Sequence, residues 1–338
     1  MANEFKRLLI DTGKGCPIQY SVGEADQAIR KKFNEVLGTD ETSTVKERRR
    51  AYRTHKNEVF AIIEDVIDEL LVSGWTDNPF FRDFVEVKNL ADGDKNEFYV
   101  PDKSILTLSK FSGGHHDLVR QKLGMGSSFS LTTSWYGIKI YEEFERFMAG
   151  RIDWPAFVQK LYEAVDRKIN DMLYQAFLGL DEIVPAAYTF SGDITEATLL
   201  NRVEMVETAN GGKEVVIAGP RTALSKITAL TNATMWSSEM KNERNTTGQL
   251  GVWNGIRLMR VPQVFELNTR TFAYPENKFY VLPMTDNKPI KLVYEGDSYF
   301  TESTDYTARK DMTIEAEYMT KFGIGTIFGA DFCTGEMA

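Results

Sequence analysis

The side chains that come nearest to a metal-binding pattern are His115, His116 and Asp117. Adjacent residues in a glycine-flanked loop rarely aim three ligands at one ion, and His55 is the one other histidine, so this reads as an exposed loop. Cys16 and Cys333 stand at opposite ends without a Cys-x-x-Cys spacing, which argues against a zinc site or a dithiol redox pair. Gly13-Lys14-Gly15 and Gly124-Met125-Gly126-Ser127-Ser128 lack the preceding strand, the Lys-Ser/Thr ending and the following helix that a phosphate cradle needs, so both read as turns. No Gly-x-Ser-x-Gly elbow occurs, and none of the three histidines sits where a Ser-His-Asp relay needs one. Glu315 and Glu317 share one face of a late strand at period-two spacing, and a solvated strand face accounts for them. The sequence therefore assigns no catalytic residue, no cofactor and no metal ligand, and the expectation is a protein that is not an enzyme.

The elements around these fragments say more. A chain of 338 residues is long enough for roughly two domains at about 150 residues each, and 42% hydrophobic with 26% charged residues is the composition of a packed globular protein. Forty Lys and Arg against 49 Asp and Glu leave a net charge of −9, which argues against a dedicated nucleic-acid binder. Two cysteines make no disulfide framework and fit synthesis in a reducing cytoplasm. No apolar run approaches the ~18 residues of a membrane span, and the N-terminus has no signal-peptide core.

Thr44 with Glu47 is a capping-box signature. The apolar set Val59, Phe60, Ile62, Ile63, Val66, Ile67, Leu70 and Leu71 then predicts a long amphipathic helix from about 45 to 73, ended by Gly74. Its charges run against the helix dipole, with Lys46, Arg48, Arg49, Arg50, Arg53 and Lys56 first and Glu58, Glu64, Asp65, Asp68 and Glu69 after. Such an order suits either a solvated face, contact with an acidic surface of another copy, or contact with enclosed nucleic acid. Residues 80–141 carry period-two runs at both ends, Phe84 to Val87 and Phe129 to Trp135, around a glycine-rich polar middle, which predicts a long two-stranded arm. Ordering each residue costs about 1–2 kcal/mol of backbone entropy, so an arm of this kind must lie on something, and a neighbouring subunit is the natural support.

Asp153 opens a second long helix whose stripe includes Phe157, Leu161, Val165, Ile169, Leu173 and Phe177, before Gly179. Beyond it come a helix near 196–208, a buried strand Val215 to Ala218, a helix opened by Gly219-Pro220, and the hairpin signal Trp253-Asn254-Gly255. Strands are predicted at Phe279 to Leu282 and Pro289 to Tyr294. Alternation of Ile314, Ala316 and Tyr318 predicts a final long strand that Gly323 and Gly325 bend toward its partner.

This order of polar arm, β arm, spine-like helix, compact α+β unit and closing strands resembles the major capsid proteins of tailed bacteriophages, with their Hong Kong 97-type shell fold. The strand Val215 to Gly219 followed by a helix, Gly251-Val252-Trp253-Asn254-Gly255-Ile256 leading to Val261-Pro262, and Met312 to Tyr318 running through Gly323 to Ala330 carry the resemblance. It implies an α+β chain with an N-terminal arm and amphipathic helix at 1–79, an extended β arm (E-loop) at 80–141, and the spine helix of a peripheral domain at 142–184. An axial domain would follow at 185–305, and closing strands of the peripheral domain at 306–338. It also implies pentamers and hexamers in an icosahedral virion shell around double-stranded DNA, made in a bacterial cytoplasm, with scaffolding, portal and decoration proteins as partners. The expected scaffold is a separate protein, because only about 40 residues precede the first strong helix. Subunit-interface roles fall on Arg49, Arg50, Arg53, Asp65 and Glu69 of the charged helix, on Phe98, Tyr99, Phe111 and Leu118 of the arm, and on Asn242 and Arg244 near the ring axis. Two other readings stay open: an encapsulin-type nanocompartment shell, and an uncharacterised soluble α+β enzyme.

Overall fold

The computed structural model describes residues 9–10, 22–40, 42–77, 79–104, 106–111, 113, 118–143, 154–231, 236–263, 265–266, 269–303 and 313–337. Asp153, Cys16, the Gly13 to Gly15 turn and the His115 to Asp117 loop lie outside them.

Among the described residues, the first helix with a full span is α1, Val22–Leu37, which packs on the long helix α2, Val45–Asp77. The capping box is formed: the Thr44 backbone N–H donates to Glu47 Oε2 at 2.9 Å and the Glu47 N–H donates to Thr44 Oγ1 at 3.4 Å. Gly74 does not end α2, which continues to Asp77. A glycine inside a helix lowers its propensity by about 1 kcal/mol without removing a hydrogen bond, so a helix already held along its length can absorb it.

Helix α3, Pro79–Phe84, turns into strand β1, Val85–Leu90. There follow β2, Phe98–Val100; β3, Ser127–Phe129; β4, Ser134–Glu143; helix α4, Trp154–Leu178; and the short helix α5, Leu180–Ile183. Next come β5, Thr189–Gly192; α6, Glu196–Ala209; β6, Val215–Gly219; α7, Arg221–Leu230; and α8, Ser238–Thr247. The chain ends in seven further strands: β7, Val252–Trp253; β8, Ile256–Arg260; β9, Lys278–Pro283; β10, Ile290–Glu295; β11, Tyr299–Ser303; β12, Thr313–Thr326; and β13, Cys333–Met337.

Two sheets organise the subunit. The first is built on β12. Phe322 to Thr326 pairs with β10 and Glu315 to Met319 with β11 along one edge, while Thr313 to Phe322 pairs with β4 along the other. β1 lies parallel to β10, Val85 opposite Ile290. The second sheet has the order β5-β13-β9-β6-β8-β7. Its edge hairpin is the one the Asn-Gly signal predicts: Asn254 and Gly255 have φ of 48° and 81°, the left-handed pair that joins β7 to β8.

This topology corrects the outline read from the sequence. The segment 306–338 does not form one closing pair, because β12 belongs to the first sheet and β13 to the second, between β5 and β9. β10 and β11, within the segment expected to be axial, also belong to the first sheet. Pairing between distant segments is invisible to local periodicity. Gly323 and Gly325 do not bend β12; they lie within it, where a Cβ on Gly323 would come 2.5 Å from the Thr132 carbonyl oxygen and one on Gly325 would meet the Leu131 side chain. The two glycines let the segment before β4 cross close over the sheet.

The β arm is also redistributed. β1 and β4, read as its two strands, pair instead with β10 and β12 of the first sheet. The two-stranded part is only β2 with β3, Phe98 opposite Phe129. Among the described residues of 101–126 no regular element forms.

The central strands of the second sheet are buried on both faces. Val216 and Ala218 of β6 point into a core shared with α2, α3, α4 and the first sheet, and Val215 and Ile217 point into a second core under α6 and α7. An aromatic knot lies in the core that the two sheets share. Phe177 of α4 lies 5.3 Å from Phe80, 4.7 Å from Tyr280 and 6.1 Å from Tyr274, ring centroid to centroid, and all four rings are fully buried.

Candidate assembly surface

Helix α2 is fixed to the first sheet by the acidic half of its length. Phe60 packs on Phe300 of β11 with centroids 4.9 Å apart. The Phe300 backbone N–H donates to Glu64 Oε1 at 2.5 Å, Ser298 Oγ to Asp68 Oδ2 at 2.8 Å, and Tyr318 O–H to Asp68 Oδ1 at 3.3 Å. Desolvation against the sheet raises both carboxyls above the ordinary range, outweighing those hydrogen bonds, with neighbouring Asp65 and Asp297 adding to the shift. The folded protein thus holds these protons more tightly than the unfolded chain, and stability contributed here falls as pH rises from the ordinary carboxylate range through the raised values. Thermal unfolding of the double variant Glu64→Gln, Asp68→Asn is expected to depend less on pH, as pH rises above the ordinary carboxylate values of about 4, than that of the parent. An equal slope in both would show that this pair does not set the dependence.

The remaining charges of α2 stay at the surface. Lys46, Arg50 and Arg53 are exposed in the first half, and Asp65 and Glu69 in the second. The Arg49 side chain lies outside the described set.

The arm is rooted in the first sheet and open beyond it. Phe98, expected at an interface, is a core residue: it is 4% exposed and packs with Val293 and Ile327. The Lys88 Nζ lies 4.1 Å over its ring. Alternation explains the error, since Phe98 and Tyr99 point to opposite faces of β2 and only Tyr99, 64% exposed, faces outward. Asn96 Nδ2 donates to the Leu131 carbonyl at 2.8 Å, and Lys103 pairs with Asp331 at 3.1 Å, tying the root to the body. Farther out, Gln121 bridges the arm's two sides, its Oε1 accepting from the Thr107 N–H at 2.7 Å and its Nε2 donating to the Thr107 carbonyl at 2.6 Å. This one amide replaces a missing rung of strand pairing.

Phe111 and Leu118 are half exposed as expected, and they are joined by Leu108, Val119, Leu123 and Met125, which are more exposed still. The sequence reading passed over these four, although apolar residues without periodicity in a glycine-rich arm are their signal. Fully burying one such side chain is worth about 1.5–3 kcal/mol, so a contiguous set can repay the ordering of the arm only when another surface covers it.

At the far end of the second sheet, Ser237 caps α8 and Gly248 closes it at φ 80°. Asn242 is exposed, while the Arg244 guanidinium lies 4.5 Å over the buried Trp236 ring, which holds it in one place.

Three further observations bear on chemistry. Glu315 is buried rather than solvated, and Lys139 of β4 reaches both Glu315 and Glu317, at 2.7 and 2.5 Å; this is a cross-strand staple. Burial pushes the Cys333 thiol up to about 11, which keeps it protonated and unreactive. Lys291, missed within an apolar strand, is fully buried in contact with Glu86 and Asn287; desolvation lowers its pKa while Glu86 opposes the shift. Among the described residues no group of three or more His, Cys, Asp or Glu is placed to hold a metal, and no helix is long and apolar enough to cross a membrane.

A long helix and five-stranded sheet, a second two-faced sheet, and an anchored arm with an apolar outer surface define the Hong Kong 97-type shell fold. The asymmetric unit of the bacteriophage PhiM1 mature capsid matches with a TM-score of 0.54 at 11% identity, over 77% of this chain and 87% of that one. The satellite phage P4 procapsid, solved with its size determination (Sid) protein, matches with a TM-score of 0.50 at 10% identity, over 92% and 98%. No curated protein sequence matches the chain. The chain belongs to the family described as "SPbeta prophage-derived putative capsid protein YonB", matched over residues 4–333. It is a major capsid protein of a bacteriophage virion.

Proposed function

We propose that copies of this chain associate into pentamers and hexamers of an icosahedral shell around double-stranded DNA, each subunit's arm covered by its neighbour. In this reading the first sheet with α4 is the peripheral domain, the second sheet with α6 and α7 is the axial domain, and Asn242 and Arg244 of α8 face the ring axis. Tyr99, Phe111 and Leu118 contact the next subunit, and Arg49, Arg50, Arg53, Asp65 and Glu69 contact other copies through α2. The subunit's part is structural rather than catalytic, scaffolding, portal and decoration proteins are its partners, and the net negative charge keeps adhesion to packaged DNA weak. The observation that carries the reading is the arm, whose apolar side chains sit exposed on a root fixed to the sheet. Many such contacts, each weak, sum to a closed container. Size-exclusion chromatography with negative-stain microscopy of the purified protein, alone and with its scaffolding protein, tests it. Rings or closed particles are expected; a monomer in both conditions that binds a metal or small ligand stoichiometrically would overturn it.

A further inference from the structure

The exposed face of α2 carries its charge in one order. Lys46, Arg50 and Arg53 come first, with Glu47 beside Lys46, then Thr54, Asn57, Glu58 and Ala61, then Asp65 and Glu69, all exposed, while Asp68 of the same half is held by the sheet. At 3.6 residues per turn these positions follow one stripe, about 35 Å long at 1.5 Å per residue. Of these charges only Lys46 lies in a terminal turn, where the helix macrodipole acts, and Glu47 beside it offsets it, so the helix itself does not account for the order. Asp68 bonds Ser298 and Tyr318, but no cation of the stripe is needed for that docking.

The stripe is complementary to itself in one orientation. Laid antiparallel, two copies meet positive half to negative half twice; laid parallel, like charge meets like. The register that sets Arg50 opposite the partner's Asp65 also sets Lys46 opposite the partner's Glu69, and it places Asn57 and Glu58 at the centre. Thr54 then faces the partner's Ala61, two small residues where the helices must approach to about 8–10 Å. A contact in which each copy offers the same patch is isologous and has two-fold symmetry.

We propose that the exposed face of α2 is a two-fold contact surface, pairing antiparallel with the same face of a second copy. It rests on the shell reading and adds a contact distinct from the arm. Double-stranded DNA is the rival occupant of the basic half, but the carboxylates that continue the same stripe repel phosphate.

The test uses assembled protein carrying Cys16→Ser and Asn57→Cys. Mild oxidation is expected to give disulfide-linked dimers, whereas Lys46→Cys in place of Asn57→Cys is expected to give none, since residue 57 meets its own mate in either orientation and residue 46 only in a parallel pair; a Lys46→Cys crosslink would overturn the antiparallel order. Arg50→Glu and Asp65→Arg are each expected to lower the yield of assemblies about tenfold at low salt, and the double variant to restore it. Assemblies that form without the Asn57→Cys crosslink, or that lose nucleic acid but not yield on Arg50→Glu, would overturn the pairing alone. If the unaltered chain forms no assembly with or without its scaffold, the shell reading falls and the pairing with it.

Discussion

Removing residues 101–126 and joining Val100 to Ser127 through a short glycine linker is expected to leave a folded subunit that no longer builds shells. Stability should hardly change. The excised side chains, Leu108, Phe111, Val119 and Met125 among them, are exposed and contribute nothing to either core, whereas Phe98 and the β2-β3 pair that anchor the root are kept. The cut loses the Lys103–Asp331 pair, a surface contact worth at most about 1 kcal/mol. Assembly should fail because each subunit loses an apolar contact set of several side chains, each worth about 1.5–3 kcal/mol when covered. Unfolding should be followed by circular dichroism and assembly by sedimentation of the same sample. Normal particles from the deleted chain would sink the arm's role, and a lowered unfolding midpoint would show that the arm braces its own subunit.

Phe177→Ala is expected to act in the opposite way, by destabilising the subunit itself. Phe177 is fully buried where α3, α4 and β9 meet, with the rings of Phe80, Phe84, Tyr274 and Tyr280 around it. Its truncation leaves a cavity in a core that the two sheets share and that cannot readily collapse, a change that typically costs about 3–5 kcal/mol. In the arm-deleted monomer, where assembly cannot mask the effect, the midpoint of thermal unfolding should fall by roughly 6–15 °C. Phe177→Leu, which keeps most of the volume, should recover more than half of the loss. A shift under about 2 °C for the alanine variant would mean that the knot is not a structural centre.

Much of the fold was legible from local pattern. The capping box at Thr44, the stripes of α2 and α4, the Asn254-Gly255 turn and the buried β6 each depend on neighbours within a few residues, and each lies where the sequence puts it. Partnership between distant strands was not legible. Nothing in Phe84 to Leu90 tells that it will lie beside Ile290 to Glu295, so those residues pass equally well for one side of an arm. The same limit separated β12 from β13. For the assembly surface, residue type alone misled: Phe98 and Tyr99 are equally aromatic, and only the face of β2 on which each stands divides core from surface. Glu315 shows the converse, an acidic residue made compatible with burial by Lys139 on the neighbouring strand.

The way β12 is gripped has a mechanical consequence. β4 brings the chain back from the arm and lies along β12 over ten paired residues, while β10 and β11 hold successive lengths of its other edge. Tension applied to the arm along β4 loads that ladder in shear, so its hydrogen bonds must yield together rather than one after another. The load then divides between β10 and β11, one continuing into β1 and the other lying against α2. A pull at the arm is thereby spread across the whole first sheet before any single strand carries enough of it to peel away.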